Sequence, residues 1–148
     1  VAAFPFTSSL GQWALAALLI SLSTNGMNLL DTRPGRSLKA FLLSMGAALA
    51  VLSAGHPLAL LVAPGMAAAL FLLQKDLSLE TMLGDSGSNP LGFVLGFFAV
   101  ALLPVPVQGG VALFLAALHG VAERSSLGRW IERLPPLNWV DRWGREDG

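Results

Sequence analysis

Two short polar stretches in an otherwise apolar sequence contain residue types that could bind a phosphate or a metal ion. The first holds Asn25, Asn28 and Asp31, which recur at i, i+3 and i+6 and would share one broad face of a helix. The second, at 84–88, places Asp85 directly ahead of a long apolar run. A carboxylate beside a helix N-terminus suits a metal ion that bridges to phosphate oxygens, because the free backbone N–H groups attract the anion.

Both stretches also have a structural interpretation, which the sequence leaves open. The two asparagines could join helices through hydrogen bonds while Asp31 pairs with Arg33 or Arg36. The second stretch could form a tight turn in which Ser86 or Ser88 caps the following helix. A role in binding or catalysis and a purely structural role therefore remain alternatives for both stretches.

Basic residues follow the first polar stretch closely. Arg33, Arg36 and Lys39 could clamp a diphosphate or a lipid phosphate, or they could contact lipid headgroups and set the orientation of the chain in a membrane. His119, near the end of an apolar segment, could contact a phosphate or exchange a proton, although a single histidine is a weak indication.

The composition indicates a membrane protein. Of the 148 residues, 54% are hydrophobic and only 12% are charged, whereas soluble domains carry about 25% charged residues. The nine Lys and Arg balance the nine Asp and Glu, so nothing predicts binding to nucleic acid. The absence of cysteine excludes disulfides, cysteine-bound zinc and a thiol nucleophile. The chain opens at Val1 without a basic region before its first apolar stretch, so we expect a processed chain or the C-terminal portion of a longer one.

The expected fold is all-α, a polytopic bundle of about five transmembrane helices followed by a cytoplasmic amphipathic helix. A spanning helix needs about 17–25 largely apolar residues, and five segments meet or approach that length. The predicted spans are 10–28, 37–53, 57–73, 88–103 and 106–122. The chain then divides into a bundle at 1–122 and a tail at 123–148.

The charged residues sort to one side of this bundle. Every Lys and Arg lies within 33–39, at position 75 or within 124–145, and alternating the loops across five spans places all three regions on the same side. The positive-inside rule assigns that side to the cytoplasm. The tail repeats apolar residues at helical spacing opposite charged ones and holds three of the four Trp residues, which is typical of a helix lying in the membrane interface.

Taken together, the two polar stretches resemble motifs of the bacterial polyprenyl-phosphate sugar-1-phosphate transferases, a family that includes the phospho-N-acetylmuramoyl-pentapeptide transferases. Members carry an Asn-x-x-Asn-x-x-Asp motif at the cytoplasmic end of one span, which matches Asn25, Asn28 and Asp31. They carry a Gly-Asp-x-Gly-Ser-x-x-x-Gly motif at the start of a later span. The residues that match this second motif are Gly84, Asp85, Gly87, Ser88 and Gly92. The resemblance extends over about 10–122.

The resemblance implies Mg²⁺-dependent transfer of a sugar-1-phosphate from a UDP-sugar to a polyprenyl phosphate, with release of UMP, at the cytoplasmic face of the bacterial inner membrane. It implies Asp31 and Asp85 as catalytic carboxylates, and Asp85 as the Mg²⁺ ligand. With the basic cluster included, the residues expected to bind substrate are Asn25, Asn28, Arg33, Arg36, Lys39, Gly87 and Ser88. The product would be a lipid intermediate of cell-wall or surface-glycan synthesis, and a homodimer is left open.

The chain departs from the family pattern at three places. Thr32-Arg33-Pro34-Gly35 stands where members have Gly-Leu-Asp-Gly, so that Pro34 replaces a second acid. Neither an adjacent Asp-Asp pair nor a His-rich loop after the fifth predicted span occurs in the sequence. The alternative is therefore a non-catalytic membrane protein that binds polyprenyl phosphate or a protein partner through the same scaffold.

Overall fold

The computed structural model describes residues 9–52, 56–124 and 127–144, and within them the chain forms seven α-helices and no β-strand. The helices are α1 (Leu10–Leu30), α2 (Arg36–Val51), α3 (Pro57–Leu77), α4 (Gly84–Leu102), α5 (Val105–Arg124), α6 (Leu127–Arg133) and α7 (Pro135–Arg142). The predicted all-α class is confirmed.

The closest helix contact in the bundle is the antiparallel packing of α4 against α1. A Cβ atom added at Gly92 would lie 2.5 Å from the carbonyl oxygen of Ser23, and one added at Gly96 would lie 2.7 Å from the Cα atom of Ile20. These distances leave no room for a side chain, so the two backbones pack directly, as small residues allow in membrane helices. The start of α4 is thereby fixed beside the end of α1.

A buried apolar core joins α2 and α3 to this pair. α2 packs against α3 and also contacts α4 and α1, while α5 packs against α1 and contacts α4. The buried core residues are Met27, Leu38, Phe41, Met45, Leu58, Val62, Ala69 and Phe98. Because these side chains come from four helices, their removal from polar surroundings stabilises the arrangement of α1 to α4 as one unit.

The outer surface of the bundle is apolar. α1, α3 and α5 are long and apolar enough to cross a membrane, and large side chains on these helices are exposed, among them Leu18, Leu61, Phe71 and Phe114. Extensive exposed apolar surface is rare on soluble monomers and marks a surface that contacts lipid or another protein. The fold therefore supports association with a membrane.

The first five helices occupy the positions of the five predicted spans but differ from them at their ends. α3 continues to Leu77, and α4 begins at Gly84 because the polar residues that precede the apolar run form its first turn. α2 has 16 residues, and α4 begins with polar residues, so a total of five spans stays a prediction. The predicted bundle and tail also include 1–8, 53–55, 125–126 and 145–148, which lie outside the described residues.

The described part of the tail forms two short helices, which pack against each other. α6 ends at Arg133, and α7 starts at Pro135, whose ring suits the first position of a helix. Along α7 the Trp139 side chain is exposed, whereas Asp141 is buried. The placement of this tail in a membrane interface stays a prediction.

Candidate functional site

The packing of α1 against α4 brings the two polar motifs to one end of the bundle. The hydroxyl of Ser88 donates to the Asn28 side-chain oxygen at 3.5 Å, which joins one residue of each motif. Ser88 is fully buried inside α4. Leu83 occupies the N-cap position and no side chain caps the helix there, so the interpretation of Ser86 or Ser88 as a cap is wrong.

Asp31 lies immediately after α1 and is half-buried. Its Oδ1 accepts a hydrogen bond of 2.6 Å from the hydroxyl of Ser37, a fully buried residue in the first turn of α2. Asp31 also lines a cavity of about 70 Å³ together with Asp76 and Thr81. The carboxylate is therefore oriented by α2 and borders an open space.

Asp85 lies in the first turn of α4 and is exposed. Its carboxylate makes no hydrogen bond or ion pair within the described part of the chain. Mg²⁺ is commonly bound through one or two carboxylates while its remaining ligands are waters and substrate phosphates. An exposed acid at a helix N-terminus fits that requirement as one protein ligand. No group of three or more His, Asp or Glu side chains that could enclose a metal occurs among the described residues.

Asp76, which the sequence analysis did not single out, connects the two turns that carry the predicted acids. It is buried in the last turn of α3. Its Oδ2 accepts a 2.6 Å hydrogen bond from the backbone N–H of Gly35, and its Oδ1 accepts a 3.3 Å bond from the backbone N–H of Leu83. The available signal was its position, since Asp76 is a third acid at the same end of the bundle as Asp31 and Asp85.

Gly35 is required at its position for two reasons. Its φ is +74°, a left-handed conformation that side chains disfavour. A Cβ atom there would also lie 2.6 Å from Cδ2 of Leu77. The turn between α1 and α2 can therefore approach the end of α3 closely enough for its N–H group to reach Asp76.

Arg36 and Lys39, predicted to clamp a phosphate, are buried and bonded to the tail. The Arg36 guanidinium makes a two-pronged contact with the Asp141 carboxylate, at 2.7 Å from Nε and 3.1 Å from Nη2. Lys39 Nζ donates to the backbone oxygens of Val140 and Asp141 at 3.1 Å and 2.8 Å. Both cations thus hold α7 against the start of α2, and binding of a phosphate by either stays a prediction.

The other predicted substrate-binding residues lie nearer the surface. Arg33 is exposed and forms an ion pair with Glu132 of α6. Asn25 is exposed on α1, and Gly87 is half-buried in the first turns of α4. The structure therefore brings Asn28, Ser88 and the turns around Asp31 and Asp85 to one end, with Asn25 and Arg33 on its exposed surface.

His119 lies in the wall of an apolar cavity of about 340 Å³ between α1 and α5, which Gly26 of the first motif also lines. Its Nδ1 bonds to the backbone oxygen of Leu115 at 2.7 Å, and its buried Nε2 has no hydrogen-bond partner within the described chain. The weak indication of a phosphate contact at His119 gains no support from this apolar setting.

The fold and the site define an all-helical, membrane-type bundle with polar motifs gathered at one end. The chain is similar to the phospho-N-acetylmuramoyl-pentapeptide-transferase of Moorella thermoacetica, with 31% identity over 132 residues. The match covers 84% of this chain and 42% of the relative, so the chain spans less than half the length of that curated protein. No protein-family model matches the chain, and no solved structure matches it.

Proposed function

We propose that this chain belongs to the polyprenyl-phosphate sugar-1-phosphate transferases and forms part of their active site. The reaction would transfer a sugar-1-phosphate from a UDP-sugar to a polyprenyl phosphate and release UMP. We place it at the cytoplasmic face of a bacterial inner membrane, where a lipid acceptor in the bilayer can meet a nucleotide in water. The product would serve peptidoglycan or another surface glycan.

The observation that carries the proposal is the meeting of both motifs at one end of the bundle. The Ser88–Asn28 contact and the antiparallel helix pair hold the sequences Asn-x-x-Asn-x-x-Asp and Gly-Asp-x-Gly-Ser side by side. This arrangement gathers polar side chains from two widely separated stretches of the sequence at one place, as a shared binding site requires. The similarity to a phospho-N-acetylmuramoyl-pentapeptide-transferase over 84% of the chain also supports the proposal.

Within this proposal Asp31 and Asp85 have different tasks. Asp31, oriented by Ser37, would orient the attacking phosphate or accept its proton. Asp85, exposed at the N-terminus of α4, would hold Mg²⁺, which when bound neutralises phosphate charge in the transition state. Asn25 and Asn28 would support the nucleotide, while Gly87 and Ser88 would shape the start of α4 around it. Arg33, on the exposed surface, would contact a phosphate.

The non-catalytic alternative remains a second proposal. Arg36 and Lys39 hold α7 in this structure, so two of the three predicted phosphate-binding cations have intramolecular partners, which counts against their use in either proposal. Under the alternative, the chain would bind polyprenyl phosphate or a protein partner without transferring a sugar. Its binding would then not respond to Mg²⁺ or to a UDP-sugar.

Replacement of Asp85 by Asn tests the proposal. In lipid nanodiscs that contain undecaprenyl phosphate, we expect the full-length protein to release UMP from a UDP-sugar in the presence of Mg²⁺, and its Asp85→Asn variant to release none above background. Because Asp85 is exposed, the variant should unfold at the wild-type temperature. Ser86→Ala, at the next exposed position of the same turn, is the matched control and should keep the wild-type rate. Equal turnover by Asp85→Asn and the wild type would contradict the assigned role, and lipid binding without UMP release would favour the alternative.

A further inference from the structure

We propose that Asp76 is a positioning residue, which sets the placement of Asp31 and Asp85 relative to each other. The roles of these two acids rest on the proposed function, but the connection between their turns rests on the geometry alone. Asp76 would not touch the substrate. It would act through the backbone of the two turns to which it is bonded.

The connection to Asp31 runs through the start of α2. Asp76 Oδ2 binds the N–H of Gly35 at 2.6 Å, and Gly35 is the N-cap residue of α2. Two residues further on, Ser37 binds the Asp31 carboxylate at 2.6 Å. A shift of Gly35 away from Asp76 would therefore move the group that orients Asp31.

The connection to Asp85 runs through the start of α4. Asp76 Oδ1 binds the N–H of Leu83 at 3.3 Å, and Leu83 is the N-cap residue of α4. Asp85 follows two residues later in the first turn. One carboxylate thus fixes the backbone on both sides of the site: Gly35 lies two residues before Ser37, and Leu83 lies two residues before Asp85.

A role confined to the end of α3 would not explain these contacts. Both oxygens of Asp76 bind N–H groups of other segments rather than of its own helix. The side chain is only 5% exposed, and burying a carboxylate is costly unless hydrogen bonds stabilise its charge. Asp76 is thus held in place by contacts that join two turns, which is what a positioning residue requires.

Replacement of Asp76 by Asn separates the positioning role from a general effect on folding. The amide has nearly the same size, but its NH₂ group would face one of the two backbone N–H donors, so one of the two bonds is lost. Glu80→Gln is the matched control, because Glu80 follows α3 closely and its carboxylate is exposed and bonded to Lys75. It removes one negative charge near Asp76 without touching either turn contact.

The first measurement is binding of Mn²⁺, as a paramagnetic substitute for Mg²⁺, to the complete chain in detergent. Loss of a residue that supports a metal ligand typically weakens metal binding about 10–100-fold. We expect the dissociation constant to rise at least about 10-fold in Asp76→Asn with the number of sites per chain unchanged, and to stay at the wild-type value in Glu80→Gln. Partial unfolding alone would lower the number of sites and leave the dissociation constant unchanged, which would overturn the inference.

The second measurement, hydrogen exchange of the backbone amides, decides the inference even if the wild-type chain binds no Mn²⁺ and the metal role fails. We expect Asp76→Ala, which removes both hydrogen bonds, to exchange faster at 31–37 and at 80–86 together, with the middle of α1 and α4 unchanged. Faster exchange at neither turn, at one turn only, or throughout the bundle would overturn the coupling. Glu80→Gln should match the wild type at 31–37.

Discussion

Four aspartates lie at the polar end of the bundle, and they form two pairs that differ in burial and in hydrogen bonding. Asp76 and Asp141 are 5% and 4% exposed, and both of their carboxylate oxygens bind groups from other segments. Asp31 is half-buried beside a cavity, and Asp85 is exposed. The carboxylates of Asp76 and Asp141 are fully engaged in contacts within the protein. The contacts of Asp31 and Asp85 leave carboxylate oxygens available to a ligand.

In an apolar chain, the acids that carry chemistry differ from structural acids in their burial. A buried acid must be bonded on all sides, since its charge has lost the stabilisation that water provides. An acid that carries chemistry must instead keep part of its carboxylate accessible to the substrate. Burial and bonding therefore separate Asp31 and Asp85, the candidate reactive acids, from Asp76 and Asp141, which hold segments together.

The largest effect that the comparison predicts is on the rate of UMP release in Asp31→Asn. The amide oxygen can still accept the hydrogen bond from Ser37, so the unfolding temperature should stay close to that of the wild type. Loss of the negative charge should slow UMP release by about 10²–10⁴-fold, the usual contribution of a positioned acid or base. A rate within a factor of two of the wild type, measured on folded protein, would place Asp31 with the structural acids.

The next largest effect is on stability in Asp141→Ala, which leaves the Arg36 guanidinium buried without its carboxylate partner. Removal of one member of a buried ion pair typically costs about 3–5 kcal/mol of unfolding free energy. The double variant Arg36→Met with Asp141→Leu removes both charges and should recover much of that loss. Chemical unfolding in detergent, with a Trp signal from the tail, measures both. Equal losses in the single and the double variant would show that packing of α7, and not the unpaired charge, dominates.

The sequence alone leads to part of this arrangement. The helices and the shared end of Asp31 and Asp85 follow from apolar length, breaker residues and the placement of charges, whereas the two motifs follow from the resemblance to the transferase family. The structural role of Arg36 could not be predicted from the sequence, because its partner Asp141 is 105 positions away. The sequence also does not distinguish a basic residue that binds lipid at a membrane surface from one that binds another part of the protein. Asp76 was missed for a related reason, since its partners are the backbone N–H groups of Gly35 and Leu83, which any residue except proline supplies.

The smallest effect is expected at the second ion pair between the turn after α1 and the tail. Arg33 and Glu132 are 43% and 41% exposed, whereas Arg36 and Asp141, which also join that region to the tail, are buried. Exposed pairs contribute about 0–1 kcal/mol because water and salt screen them. Arg33→Ala should therefore lower the unfolding free energy by less than about 1 kcal/mol, and added salt should remove most of the difference.

If Arg33 binds a substrate phosphate, the same variant should raise the KM for the UDP-sugar, whereas Glu132→Gln, which removes only its intramolecular partner, should not. Equal KM values in both variants would leave Arg33 with the ion pair as its sole task, and the accessible acids would then act without it.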